Sequence, residues 1–441
     1  MSQLLNPLAL LGLLGGAVFA ALCLVNIRWA ALFFVWLGGI PTVLIEQGRN
    51  LYITQGLLLI EILSTALIIM WLVHQAGSGR GIIKTPFNLP LMLLIPAASV
   101  SLVFGFLQFD PNIEVSHLRP AISVGQVLLF AWPVGLYLVM ANSFDSTVWI
   151  KRVWYSIVIL GIPALAVPFL PDEANEFVGW TIYFSLAASP LCFAALFYTR
   201  SPLLRPCLLV LALAPLMIGL LAGRAFFLVY VVMAFATICV FKARRAVVML
   251  APLAIGIYLV FAVNQPGITP SWFEELIAVE RQQQSIGGRA GRGALAMDAV
   301  AIWVHHPILG VGPGNNYPYM LRYSVLGTAH SQYFDLLLEL GIIGMSCFLL
   351  FIVLALRNGI HAFRAVRDPF HQMVVLGWLG LFSGFVVGSM VGDFMLQSIR
   401  NGGLTTFSEF YLQWVVLGLV VAIQDIEARE LEADYDEGLA A

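Results

Sequence analysis

Long apolar runs alternate with short polar stretches along the whole chain. A membrane helix needs about 20 mostly apolar residues. Runs near that length fall at 8–25, 29–45, 55–73, 89–107, 120–141, 153–170, 179–198, 206–223, 225–241, 246–263, 332–356, 372–391 and 409–424. These are 13 segments, or 12 if the first two, short and nearly abutting, are counted as one. The pattern predicts an all-α fold: a polytopic membrane bundle of about 12–13 transmembrane helices. No internal repeat or low-complexity segment stands out.

Composition narrows the class. Of 441 residues, 60% are hydrophobic and 10% charged, with a mean hydropathy of +0.92. A soluble domain carries about 25% charged residues. A soluble globular protein is excluded, and so is a disordered one. The 22 Lys+Arg against 24 Asp+Glu leave no basic surface for nucleic acid. Acids concentrate at the end of the chain, where Asp425, Glu427, Glu430, Glu432, Asp434, Asp436 and Glu437 surround Arg429. That stretch reads as a solvated tail. Without it the membrane body holds 21 bases and 17 acids. Cys23, Cys192, Cys207, Cys239 and Cys347 all lie in apolar runs with no CxxC spacing, so they read as small hydrophobes. The first apolar run has no basic residue before it and no clear cleavage site; it reads as a membrane helix and not a signal peptide.

Lys and Arg in short loops set orientation. They cluster at Arg80/Lys84, Lys151/Arg152, Arg200/Arg205, Lys242/Arg244/Arg245 and Arg357/Arg364/Arg367, all on one side of the helix map. The loops at 46–54, 108–119 and 171–178, the Arg224 turn and a long loop at 264–331 fall on the other side, which is external, or periplasmic in a Gram-negative cell. The expected organisation is a bundle over 1–263, the external loop 264–331, further membrane helices over 332–424 and a cytoplasmic acidic tail at 425–441.

The long loop is the anomaly, because structureless loops beyond about 12–15 residues are uncommon. It holds apolar-periodic segments at 272–277 and 295–304. These predict short helices capping the external face, with a site at the junction of cap and bundle.

Several residues there could carry chemistry. Arg224 stands in a tight Gly223-Arg224-Ala225 hairpin between two apolar runs. It either snorkels to the surface or faces a polar cavity or an anion. Arg289 and Arg292 lie in Gly287-Gly288-Arg289-Ala290-Gly291-Arg292-Gly293. That stretch is either a solvated loop or an anion site, where glycine permits close backbone approach and Arg donates in bidentate fashion. His305 and His306 are adjacent and cannot share a helical face, so they are no metal pair. They lead into the turn Pro307-Ile308-Leu309-Gly310-Val311-Gly312-Pro313-Gly314-Asn315, which lacks a Walker A lysine. His330 sits at the mouth of the next apolar run, where it is either a hydrogen-bonded structural residue or a general base. Asp335 and Glu339 follow at i, i+4 on one face of that helix. Glu61 and Asp393 read as buried partners of arginines elsewhere.

These residues together resemble the signature of the O-antigen ligase and O-antigen polymerase superfamily. Arg292 precedes a helix, His306-Pro307-Ile308-Leu309-Gly310-Val311-Gly312 forms the turn, His330 follows, and Glu339-Leu340-Gly341-Ile342-Ile343-Gly344 lies on the next helix. The family's earlier arginine, in a turn between helices, is matched by Arg224. Ser331 stands where that family usually has Asn. The resemblance implies a metal-independent, cofactor-free membrane glycosyltransferase of the inner membrane. Its donor would be a glycan on undecaprenyl diphosphate, and its acceptor another lipid-linked saccharide or a lipid A-core sugar. It implies His330, Arg224 and Arg292 as catalytic residues. Arg289, His306, Gly312, Asn315, Asp335 and Glu339 become substrate-binding candidates, and a chain-length regulator protein a further partner. The competing reading is a secondary transporter of a small anion or solute. Transporters place their sites near the midplane on repeat-related broken helices, whereas the candidates here cluster at one surface.

Overall fold

The computed structural model describes residues 7–37, 59–79, 81–113, 119–166, 181–221, 225–242, 292–322, 327–390, 392–399 and 406–440. Among these the regular structure is helical. In chain order the helices are α1 (Pro7–Val25), α2 (Ile27–Leu37), α3 (Leu59–Ser78), α4 (Asn88–Leu107), α5 (Arg119–Ser143), α6 (Thr147–Gly161), α7 (Thr181–Leu196), α8 (Leu204–Leu221) and α9 (Ala225–Lys242). They continue as α10 (Arg292–Trp303), α11 (Asn316–Met320), α12 (Gln332–Ala365), α13 (Pro369–Gly388) and α14 (Thr406–Ala440). Among the described residues six helical stretches are long and apolar enough to cross a membrane: α4, α5, α6 with its 3₁₀ extension, α12, α13 and Glu409–Asp436 of α14. Shorter apolar helices accompany them.

The expected polytopic helical bundle is therefore present, and it is apolar on both sides of its helices. α4 buries Leu91, Leu94, Ala98, Ser101 and Gly105 while exposing Leu89, Met92, Leu93, Val100, Val103 and Leu107. A helix hydrophobic on both faces belongs in lipid and not in water. α5, α13 and α14 are the most enclosed spans, with 72%, 72% and 83% of their apolar windows buried, and so form the centre. Tight aromatic packing fills the space between spans, with Phe351 stacked on Trp414 at 5.7 Å and Trp378 on Phe382 at 5.0 Å.

At one end of the bundle the α12–α13 connection is tied to α14. Asp368 caps α13 by accepting from the Phe370 and His371 amides. The buried Glu427 carboxylate accepts from the Arg367 and Asp368 amides and pairs with His371 Nδ1 at 2.7 Å. α14 runs through the acidic stretch, exposing Glu430, Glu432, Asp434 and Asp436.

Of the long 264–331 loop, two short helices, α10 and α11, are described. With Val311, Ala329 and Leu338 they close a second, smaller apolar cluster: Leu295, Ala299 and Ile302 from α10, Tyr319 and Met320 from α11, and Ile113 from the α4–α5 connection.

Candidate functional site

The glycine-rich turn and α12 lock into each other. α12 is not one straight helix: at Gly341 the backbone turns to φ +62°, ψ −161°. That break frees carbonyls and amides at mid-helix, and the turn takes them. Val311 N donates to Leu338 O (2.8 Å) and Gly312 N to Glu339 O (3.0 Å). In return Ile342 N donates to Pro307 O (2.9 Å) and Ile343 N to Ile308 O (3.4 Å). The Ser101 hydroxyl on α4 lies 2.5 Å from Leu309 O and 2.7 Å from Glu339 O, adding a third element to the lock. The buried Glu339 carboxylate accepts from Gly314 N at 3.1 Å.

Only glycine fits such an approach. Gly310, Gly312 and Gly314 adopt φ of +70°, +96° and +70°. A Cβ on Gly310 would stand 2.4 Å from Leu338 O, and one on Gly105 of α4 would stand 2.5 Å from Val311 O. Asn315 completes the turn from inside: its Nδ2 donates to Val311 O at 2.9 Å. Its Oδ1 accepts from Arg119 Nε at 2.9 Å. Arg119 opens α5, donates also to Gly105 O (2.6 Å), and lies 3.5 Å from the Phe109 ring centroid, a cation–π contact.

His330 stands immediately before α12 with φ +49°, the one non-glycine residue with positive φ among the described residues. For an L-residue other than glycine this conformation costs roughly 1–2 kcal/mol, and such outliers concentrate at functional sites. The half-exposed His330 is bracketed by buried neighbours, Ala329 and Ser331. Asp335, one turn into α12 and 4% exposed, accepts at Oδ1 from Ala329 N (3.1 Å) and Asn316 Nδ2 (3.0 Å). Its own amide donates to Ser331 O at 2.9 Å.

The opposite wall of the α12 entrance is formed by Ser389 and the non-helical segment 392–398. Irregular backbone in a membrane protein needs every polar group satisfied by protein or cavity water. Here glutamines from three helices do so. Gln332 of α12 accepts from Met395 N and Ser389 Oγ and donates to Leu396 O (2.9, 3.0 and 2.7 Å). Gln126 of α5 donates to Gln397 O and accepts from Ile399 N, both at 2.7 Å. Gln413 of α14 donates to Phe394 O at 2.7 Å. Asp393 lies buried within this segment.

His306 packs edge-on against Tyr319 with ring centroids 5.5 Å apart. Burial, and then the neighbouring His305, hold its pKa below the usual 6.5. Among the described residues no group of three or more His, Cys, Asp or Glu side chains is placed to hold a metal ion.

The fold thus gathers His330, Asp335, Glu339, Gly312, Asn315 and His306 around the entrance to α12. The hydrogen-bonding groups of Gly312, Asn315 and Glu339 serve the lock itself. Arg292 is the first residue of α10, whose apolar face shares a cluster with Ala329; its side chain, with Arg224 and Arg289, lies outside the described residues. Arg224 falls in the three-residue connection between α8 and α9. Sequence reading passed over Ser101, Arg119 and the three glutamines. A polar side chain isolated in an apolar run was the available signal for Ser101, Gln126 and Gln413.

Comparison with known proteins adds one positive result. No curated protein matches the chain. Residues 208–349, from α8 past the Gly341 break, match the family described as O-antigen ligase. That segment, which contains Arg224, the glycine lock and His330, is what the chain shares with the O-antigen ligase family.

Proposed function

We propose that this protein transfers a preassembled glycan from undecaprenyl diphosphate to a saccharide hydroxyl. The acceptor oxygen attacks the anomeric carbon, and the bond from that carbon to the diphosphate oxygen breaks. The electron pair leaves with the diphosphate, and the hydroxyl proton passes to His330. Direct displacement inverts the anomeric configuration. Arg224 and Arg292, with Arg289 near the second, neutralise charge growing on the leaving diphosphate, the kind of transition-state stabilisation whose loss typically costs about 10²–10³ in rate. A positioned base is worth roughly 10²–10⁴. The donor's own diphosphate supplies the driving force, so ATP is not required, and the arginines take the charge-neutralising part that a metal plays in other transferases.

The observation that carries this reading is the family match over 208–349. The left-handed backbone of His330, held by buried partners beside the lock, supports it. The site belongs on the periplasmic face of the inner membrane, under a cap formed by 264–331. The acceptor is a second lipid-linked glycan in a polymerase or a lipid A-core sugar in a ligase. A strain lacking the gene tests both activity and type. Surface glycan reduced to single units marks a polymerase, and accumulated lipid-linked polymer marks a ligase. Unchanged surface glycans and lipid-linked pools would overturn the proposal.

A further inference from the structure

Resting on the reading of His330 as the base, we propose that Asp335 is a positioning residue whose carboxylate fixes the left-handed backbone of His330. The amide it holds is that of Ala329, the residue directly before His330 (Oδ1 to N, 3.1 Å). Its own amide holds the Ser331 carbonyl directly after (2.9 Å). His330 is therefore clamped on both sides by one residue. The φ of +49° needs such a clamp, because an unrestrained histidine relaxes to negative φ. The same Oδ1 accepts from Asn316 Nδ2 at 3.0 Å, which joins the clamp to the end of the glycine turn. Asp335 also sits in the first turn of α12, where the helix dipole favours a carboxylate. At 4% exposure the carboxylate is shut off from bulk solvent and engaged with backbone. Its Oδ2 makes no hydrogen bond among the described residues, so all of its directed bonding runs through the oxygen that holds the His330 segment.

That asymmetry makes the role testable. In Asp335→Asn the amide oxygen replaces Oδ1 and the new NH₂ replaces an oxygen that accepts nothing among the described residues. The clamp survives. In Asp335→Ala the carboxylate side of the clamp, to Ala329 N and Asn316 Nδ2, is lost, and only the backbone bond to Ser331 O remains. The assay uses the full chain in detergent or nanodiscs with a lipid-linked glycan donor and a saccharide acceptor. Asp335→Ala is expected to lower kcat about 10²-fold with donor KM unchanged, since the arginines that hold the diphosphate are untouched. Asp335→Asn is expected within a few-fold of the parent. In a His330→Ala background, Asp335→Ala is expected to cost nothing further, because a residue acting through His330 has nothing left to act through. A merely structural residue would lower both backgrounds alike. Three results overturn the inference: wild-type turnover in Asp335→Ala, a folded Asp335→Asn as inactive as His330→Ala, or an additive loss in the double variant. If Asp335→Ala does not fold, Asp335→Asn carries the test alone. Wild-type turnover in His330→Ala alone is a separate result: it removes the base reading, and this inference with it.

Discussion

Gly341→Ala tests the central lock. At φ +62°, ψ −161° the backbone occupies a region essentially reserved for glycine, and an alanine forced there costs of order 1–3 kcal/mol. The new methyl would also stand 2.3 Å from Ile308 O and 2.4 Å from Ile308 C, which are backbone atoms that cannot rotate away. Relief requires the turn to withdraw from α12 by about an ångström. That breaks or stretches Ile342 N–Pro307 O, Val311 N–Leu338 O and Gly312 N–Glu339 O, now 2.9, 2.8 and 3.0 Å. Each such bond contributes about 1 kcal/mol net. The expected destabilisation is therefore about 3–6 kcal/mol, which for a chain of this size corresponds to a fall in Tm of roughly 3–7 °C. The assay is thermal unfolding of the purified protein in detergent, paired with protease sensitivity of the 306–316 turn. Gly77→Ala is the control: near the end of α3 its Cβ meets nothing within 4 Å, and its Tm should be unchanged. A Gly341→Ala protein with the control's Tm and an equally protected turn would refute the lock as described.

Arg224→Ala and Arg292→Ala should each abolish glycan transfer without loss of membrane insertion, and Lys should rescue poorly because the guanidinium fork is lost. Full activity in Arg292→Ala with loss in Arg289→Ala would reassign the second cation. His330→Ala should lose turnover while still retaining the lipid-linked donor in a pull-down, and EDTA should leave the parent's rate unchanged. Inhibition by chelator that is reversed by added divalent metal would contradict the proposed chemistry. His306, whose pKa is lowered on folding, resists protonation in the folded state. It therefore favours folding above its unfolded value near 6.5 and opposes it as pH falls below that value. His306→Gln should flatten the loss of Tm between pH 7 and 5, and an unchanged slope would assign that loss to other groups.

The spans were legible because apolar run length is set by bilayer thickness. The runs at 89–107, 120–141 and 372–391 lie within a few residues of α4, α5 and α13. Helix ends were less legible. α12 and α14 both outrun their apolar cores, because Arg364 and the acidic residues 430–436 are as compatible with a solvated helix as with a loop. The glycines of 310–314 were visible as a turn, and Asp335 and Glu339 as one helical face. That the turn reaches α12 was not visible, since hydrophobic periodicity carries no record of a single φ of +62° at Gly341. The non-helical segment 392–398 was hidden for a related reason. Its backbone is satisfied by Gln126, Gln332 and Gln413, which stand far apart in sequence and meet only after the helices pack.

The Gly341 break has a consequence for depth in the lipid. Arg357 is exposed on α12, and an arginine there is expected to sit where the helix leaves hydrocarbon at one interface. Ile342, the first residue past the break, lies 15 residues before it, roughly 23 Å away at 1.5 Å per residue. The hydrocarbon layer is about 30 Å thick. With Arg357 at one interface, the lock is expected towards the opposite boundary, with Asp335 and His330, four and nine residues before Glu339, nearer to it. A helix anchored this way couples its polar end to bilayer thickness. In thicker membranes the lock is drawn under the surface, and in thinner ones it is lifted clear. Rate in vesicles of graded acyl-chain length should therefore pass through a maximum, with chain length acting as a ruler for the height of the site above the hydrocarbon.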